Sequence, residues 1–365
     1  MSLSLQNINI NRKRVLIAPL DWGLGHATRC VTIIKELLAQ GFDVMIAAEK
    51  GGAVLLQKEF PDIKIMPLQG YRVSYSKNKK FFLVKMLSQF SKIYAAVKNE
   101  NKWLNEIIKE YEIDIVISDN RYGLYNKNCH TIFITHQLFI KTGNRFTEWI
   151  AQKINYHYIN KFNECWVPDV EEIENLAGEL SHPITKPTIP VKYIGILSRF
   201  KKLAIEKNID LLVMLSGPEP QRTMLEVILL QQLKETKLKT VLVRGLPSAK
   251  ESIFLENKLV EIINHLPASE LNKLICSANI VVARSGYSTV MDLAALQKKS
   301  ILIPTPGQTE QEYLAKYLAE KNYCITFDQE NFNLEKEIEK LNKTTLNSYP
   351  ILQKDTLKNI ITGLK

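Results

Sequence analysis

Short runs of aliphatic and β-branched residues punctuate the chain, and between them apolar residues recur with the 3.6-residue period of a helix. RVLIAP (14–19), DVMIAAE (43–49), IKIMPL (63–68), DIVISD (114–119), TIFITH (131–136) and ECWVPD (164–169) mark the first half. DLLVMLSG (210–217), KTVLVRG (239–245), LVEIIN (259–264), NIVVAR (279–284), SILIP (300–304) and CITF (324–327) mark the second. Runs this continuous predict strands buried on both faces, the condition of a parallel sheet covered by helices. The expectation is an α/β chain that is doubly wound twice over.

Between the halves lies LAGELSHPITKPTIPVKYIGILSR, whose Pro183, Pro187 and Pro190 support neither helix nor central strand. We read it as a linker and expect a first domain over 1–190 and a second over 191–345. Residues 346–365 read as an amphipathic helix packing back on the first domain.

A length of 365 residues fits two such domains. Lys and Arg exceed Asp and Glu by 10, which favours an anionic partner without choosing among nucleic acid, phosphorylated metabolite and acidic membrane. Cys30, Cys129, Cys165, Cys276 and Cys324 are odd in number and carry no CxxC spacing, so neither a disulfide framework nor a zinc site is expected. A reducing cytosol suits them. There is no long apolar span and no signal-peptide pattern, so the chain is expected to be neither exported nor membrane-spanning. Residues 64–109 hold ten Lys/Arg against two Glu, interleaved with Phe81, Phe82, Leu83, Met86, Leu87 and Phe90. That mixture fits a solvated helix with a core stripe, and it also fits docking on an anionic membrane. Nucleic acid ranks last because no recognisable module accompanies the charge.

In an open parallel sheet, ligands bind beyond the carboxyl ends of the strands, where helix N-termini attract anions. Three loops hold such positions. WGLGHATR follows the first strand, and its spacing puts His26 and Arg29 on the first turn of a helix behind Gly23 and Gly25. The alternative is a plain βα turn. SGPEPQR supplies Ser216 and Gly217 at the corresponding place in the second half. RSGYSTVMD offers Ser285 and Gly286 for close approach, Ser288 and Thr289 as donors, and Asp292 one turn on. An acid after phosphate donors suits ribose hydroxyls, so the pattern points to a nucleotide. Downstream, Gln311 and Glu312 could read sugar hydroxyls. Asp119 with Asn120 and Arg121, and His136 with Gln137, also end strands and could line an acceptor pocket.

The stretch from ICSANIVVARSGYSTVMD to TPGQTEQEYLAKYL, with WGLGHATRC and LLVMLSGPEPQR, resembles the MurG-type glycosyltransferases of family 28. That resemblance implies the GT-B fold, two Rossmann-like domains with a cleft between them. It implies a donor diphosphate at Gly286, Ser288 and Thr289, ribose at Asp292, the transferred sugar at Gln311, and phosphate contacts from Ser216 and Arg199. The sequence departs from the family where its glutamate is Asp292, its glutamine pair is Gln311-Glu312 and an expected asparagine is Ala315. The first loop is closer to the GxGHxxRC of the UDP-sugar hydrolases of pseudaminic acid synthesis.

The expectation is a metal-independent, inverting hexosyltransferase with a UDP-sugar as substrate, no cofactor, and a lipid-linked or small-molecule acceptor. It is expected in the cytoplasm, peripheral on the inner face of the membrane, with no nucleic-acid partner. His26 is the expected base. Gly23, Gly25, Arg29, Asp119 and His136 are expected on the acceptor side, the remaining residues on the donor side. A UDP-sugar hydrolase is the competing reading, and a non-catalytic nucleotide-binding module the third.

Overall fold

The computed structural model describes residues 12–71, 82–247, 249–350 and 355–365, without the side chains of 82–90. Lys77, Lys79, Lys80, Phe81 and the side chains of Phe82, Leu83, Met86, Leu87 and Phe90 therefore lie outside the described residues.

Seven strands, β1 (Arg14–Pro19), β2 (Asp43–Ala48), β3 (Ile65–Pro67), β4 (Ile115–Asp119), β5 (His130–Ile134), β6 (Glu164–Val167) and β7 (Val191–Tyr193), form the first sheet. Six more, β8 (Ile209–Met214), β9 (Thr240–Val243), β10 (Val260–Ile263), β11 (Ala278–Ala283), β12 (Ser300–Leu302) and β13 (Ile325–Thr326), form the second. The helices are α1 (Leu24–Ala39), α2 (Lys50–Glu59), α3 (Phe82–Tyr111), α4 (Arg145–Ile159) and α5 (Gln221–Leu233), then α6 (Ala268–Ser277), α7 (Tyr287–Ala295), α8 (Thr309–Glu320), α9 (Leu334–Lys343) and α10 (Thr356–Thr362).

The strand orders are β3-β2-β1-β4-β5-β6-β7 and β10-β9-β8-β11-β12-β13, with parallel pairing at the centre of each. Both orders reverse direction between the first and fourth strand of their sheet. The reversal opens a crevice at the carboxyl ends, β1 beside β4 in one domain and β8 beside β11 in the other. The two Rossmann-like domains predicted from the apolar pattern are present.

Among the described residues, twelve of the thirteen strands coincide with the apolar runs. The other, β7, falls in the proline-rich segment, and it pairs with β6 at the rim of the first sheet. Pro190 stands immediately before it, where a missing N–H costs no ladder bond. The first sheet thus extends to Tyr193, past the expected boundary at 190.

The segment between β6 and β7 is packed, not slack. Asp169 accepts hydrogen bonds from the backbone N–H groups of Val170 (2.9 Å), Leu176 (3.0 Å) and Ala177 (3.0 Å) and from Ser181 Oγ (2.7 Å). Gly178 has φ +52°, and a Cβ there would come within 2.5 Å of the Tyr313 hydroxyl on α8. Only glycine lets this turn press against the second domain.

One apolar cluster joins the two domains. It runs from Val15, Ile17, Ile33, Ile34 and Leu37 through Ile194, Ile196 and Leu197 to Val281, Val290 and Leu293. Burying each such side chain stabilises the fold by about 1.5–3 kcal/mol. Ile361 and Leu364, at the end of α10, belong to the same cluster. Gln40 at the end of α1 donates to Lys358 O, and Lys13 Nζ donates to Leu364 O. The C-terminal helix thus lies on α1, in the first domain.

Candidate active site

At the first crevice the chain turns from β1 into α1 through Gly23, whose φ of 80° is left-handed. That turn directs the first helical turn, with His26 and Arg29, across the end of β4. Asp119, the last residue of β4, is fully buried. Arg29 grips it with two bonds, Nε to Oδ2 at 2.8 Å and Nη2 to Oδ1. His26 Nδ1 lies 3.2 Å from Asp119 Oδ2 and 2.8 Å from Arg29 Nη2. The His26 side chain keeps 15% exposure, whereas Asp119 keeps none.

Burial works against the ionised form of Asp119, but Arg29 and then His26 outweigh it and hold the carboxyl below the usual carboxylate range. Burial lowers the pKa of His26; Asp119 opposes this and Arg29 adds to it, and the net direction is down. The imidazole is therefore neutral at neutral pH, and Nδ1 faces both Asp119 and Arg29.

The network crosses into the second domain. Arg29 Nη1 lies 3.4 Å from His136 Nδ1, and His136 Nε2 lies 2.7 Å from Oε1 of Glu310 on α8. Gln137 Nε2 donates to the other Glu310 oxygen. The His136 ring stacks on Tyr287 of α7, with centroids 4.0 Å apart. Burial pushes the Glu310 carboxyl up, yet His136, His26 and Arg29 together hold it below its ordinary value. A second crossing joins the helix N-termini: Ser288 Oγ on α7 donates to Gly25 O on α1 at 3.0 Å. A Cβ on Gly25 would lie 2.8 Å from that hydroxyl, so glycine is what lets α1 and α7 meet.

At the second crevice Ser216 and Gly217 are exposed beyond β8. A Cβ on Gly217 would face the Thr305 hydroxyl at 3.6 Å, and one on Gly286 would face Gln311 Nε2 at 4.0 Å. Thr305 Oγ1 is buried without a hydrogen-bond partner. Gln311 is oriented by the Thr305 N–H, which donates to its Oε1 at 3.0 Å, while Glu312 accepts from the Gly307 N–H at 3.0 Å. Asp292 accepts from Ser198 Oγ at 2.6 Å. Burial pushes its carboxyl up to about 7 against the opposing effects of Ser198 and nearby Arg199. Arg199, partly buried, leaves its Nε without a partner.

Several sequence-predicted residues hold other positions than expected. Asp119 and Arg29 are buried in their mutual ion pair and do not line an open acceptor pocket. Arg121 is also buried, donating to Pro19 O, Leu68 O, Gln69 O and the Glu100 carboxylate, so it pins the first sheet to α3. His136 is enclosed by Arg29, Glu310 and Tyr287. Gly25 is an interdomain contact, and Ser285 spends its hydroxyl on Gln311 O at 2.8 Å. His26, Ser216, Gly217, Gly286, Ser288, Thr289, Asp292, Gln311 and Arg199 lie on the elements bordering the cleft. Glu310 and Ser198 were missed. Each acts through a partner about a hundred or more residues away, and the only signal was proximity to Gln311 and Arg199. Arg284, of the RSG motif, is structural: it donates to Ile303 O, Pro304 O and Gln221 O.

Comparison with known proteins bears on this arrangement. Residues 217–361 match the glycosyltransferase family 28 C-terminal domain, and residues 14–139 match glycosyl transferase family 1. A UDP-N-acetylglucosamine–N-acetylmuramyl-(pentapeptide) pyrophosphoryl-undecaprenol N-acetylglucosamine transferase of Clostridium tetani is 22% identical, over 87% of this chain and 86% of its own. Its counterpart in Pasteurella multocida is 24% identical, over 89% and 87%. The chain is a glycosyltransferase similar to MurG, with a family 28 C-terminal domain. Solved structures agree on the fold: the glycotransferase of kitacinnamycin superimposes with a TM-score of 0.67 at 13% identity, covering 97% of this chain and 94% of that one. Acinetobacter baumannii MurG gives 0.53 at 13%, covering 96% and 93%. The hydrolase reading of the GHATRC loop gains no support from these comparisons. Among the described residues no helix is long and apolar enough to cross a membrane, and no three His, Cys, Asp or Glu side chains are grouped to hold a metal.

Proposed function

We propose that this glycosyltransferase moves a hexosyl group, N-acetylglucosamine by analogy with its relatives, from a UDP-sugar to a hydroxyl of a lipid-linked acceptor with inversion. The observation that carries the reading is the His26–Asp119 pair at the first crevice, facing α7 and α8 of the second domain. In the reaction His26 Nε2 takes the proton of the acceptor hydroxyl while Nδ1–H is held by Asp119. The acceptor oxygen attacks the anomeric carbon from the side opposite the diphosphate, which departs with the bonding electrons.

The leaving diphosphate develops charge against the N-terminus of α7, where Gly286 allows close approach and Ser288 and Thr289 add hydroxyls. Arg199 contributes a full positive charge beside it. Asp292 is suited to the ribose hydroxyls and Gln311 to the transferred sugar. Asp119 acts behind His26, not on the acceptor.

The acceptor's lipid finds a second feature of this chain. On α4, Phe146 and Trp149 are 67% and 55% exposed, and Ile150 and Ile154 continue the same face. Lys153 lies over the Trp149 ring at 4.2 Å, and exposed Arg145 stands beside it. Apolar rings bordered by cations suit the headgroup region of an anionic bilayer. The loop leading into α4 touches the start of α8, where Thr309 Oγ1 donates to Lys141 O at 2.7 Å. A bilayer at α4 therefore delivers its lipid near the cleft, on the inner face of the membrane.

The test is UDP release from a panel of UDP-sugars, with and without a polyprenyl-diphosphate-linked sugar. Release that requires the acceptor supports transfer; equal release in water alone would overturn it. Liposome binding that falls with salt and with the Phe146→Ser/Trp149→Ser double substitution supports the docking face.

A further inference from the structure

His26 Nδ1 has two neighbours that make opposite demands. Asp119 Oδ2, at 3.2 Å, accepts and asks for a proton on Nδ1; Arg29 Nη2, at 2.8 Å, donates and asks for a lone pair there. A guanidinium is a permanent donor with no acceptor capacity. The Asp119 carboxylate is already served without the histidine, since Arg29 supplies Nε to Oδ2 and Nη2 to Oδ1. The same guanidinium faces His136 Nδ1 with Nη1, and His136 Nε2 faces the Glu310 carboxylate. His136 therefore carries its proton on Nε2, with its Nδ1 lone pair turned to Arg29.

We propose that Arg29 is a positioning residue that holds His26, in the acceptor-free chain, in the tautomer with its proton on Nε2, and so guards the donor sugar against water. The inference rests on the reading of His26 as the base. In that tautomer the outward nitrogen has no lone pair to receive a proton. Hydrolysis would form a bond from the water oxygen to the anomeric carbon, break the bond to the diphosphate with its electrons leaving on UDP, and put a water proton on Nε2. The last transfer is blocked. The base-competent tautomer needs the Nε2 proton released to solvent water and another taken from water onto Nδ1, where it is donated to Asp119, and the two contact distances differ by only 0.4 Å (3.2 − 2.8). A small tilt of the ring exchanges them. An acceptor held by its other contacts, with its hydroxyl donating to the Nε2 lone pair once it is free, stabilises the tilted, base-competent form, whereas a loosely held water does not. Arg29 thereby favours transfer over hydrolysis without touching either substrate.

The experiment is a long-range 1H–15N spectrum of the histidine rings in the full-length, ligand-free protein, with His26 assigned by its absence in His26→Ala. The expected tautomer is Nε2–H, changing to Nδ1–H in Arg29→Gln. In parallel, acceptor-free UDP release from UDP-N-acetylglucosamine, relative to transfer, is expected to rise several-fold in Arg29→Gln. Without Arg29 the positive charge that lowers the His26 pKa is gone, so the acidic limb of the transfer profile moves to higher pH. An Nδ1–H ring in the unsubstituted protein overturns the proposal, even if the variant fails to fold. So does a ring that stays Nε2–H in folded Arg29→Gln, or a changed tautomer with an unchanged ratio of hydrolysis to transfer. Failure of the base reading shows separately, as normal transfer by His26→Ala.

Discussion

The two crevices of this molecule share a topology and differ in where they keep their charge. At the β1/β4 crevice, Asp119, Arg29 and His136 are buried and wired to one another and to Glu310, while the His26 ring and the Glu310 carboxylate keep partial exposure. At the β8/β11 crevice, Ser216 and Gly217 stand exposed, Gly286 leaves space, and Thr305 and Arg199 hold polar atoms without partners. The charged groups of the first crevice pair with one another; the second keeps the Thr305 hydroxyl and the Arg199 Nε unpaired. Base chemistry requires an oriented, preorganised group, while anion binding requires unspent donors. The division of labour proposed between the domains follows that contrast.

The contrast breaks most visibly at Asp119. Asp119→Ala leaves the buried Arg29 uncompensated and is expected to cost about 3–5 kcal/mol of stability, read by chemical denaturation. His26→Ala comes next: transfer falls by at least about 100-fold, the cost of a lost general base, while melting temperature and UDP affinity stay within error. Loss of UDP affinity in that variant would erase the distinction between the crevices. On the other side, Asp292→Ala weakens UDP binding by about 1–3 kcal/mol, the usual cost of an unpaired partner, as calorimetry would register.

A subtler effect concerns pH. The Asp292 carboxyl titrates near 7 in the folded chain, above its unfolded value of about 3.9. The folded state binds that proton more tightly, so this group's contribution to stability falls as pH rises from about 4 through 7. Asp292→Asn is therefore expected to gain more on the parent at pH 8 than at pH 5, by about 2–3 kcal/mol in paired thermal melts. Smallest of all, Ser216→Ala leaves stability within about 0.5 kcal/mol, as an exposed position should, and its effect is confined to donor saturation.

Much of this is legible in the sequence. Continuous apolar runs identify strands buried on both faces, and a loop after the first strand of each half is where a doubly wound sheet must open. That reasoning put His26, Gly286 and Asp292 beyond the carboxyl ends of strands, which is where they lie. It did not reach β7, because three residues beside Pro190 make an edge strand with almost no pattern of its own. Nor did it reach Glu310. Nothing local to TPGQTEQEY says that the first of its two glutamates spans the cleft to His136, because that pairing is created by the packing of α7 against α1. The same cause misplaced Asp119 and Arg29: polar residues at a strand end read as surface until their opposite charges are seen to close on each other.

The C-terminal helix has a consequence for how the molecule is made. Ile361 and Leu364 complete the apolar cluster around Ile33 and Leu37 on α1, the helix whose first turn carries His26. Synthesis proceeds from the N-terminus, and domains fold as units while it does so. The outer face of α1 must then wait, uncovered, until the entire second domain has left the ribosome. The half that begins first is the half that finishes last, and His26 comes under its final packing only when the second domain already exists to face it.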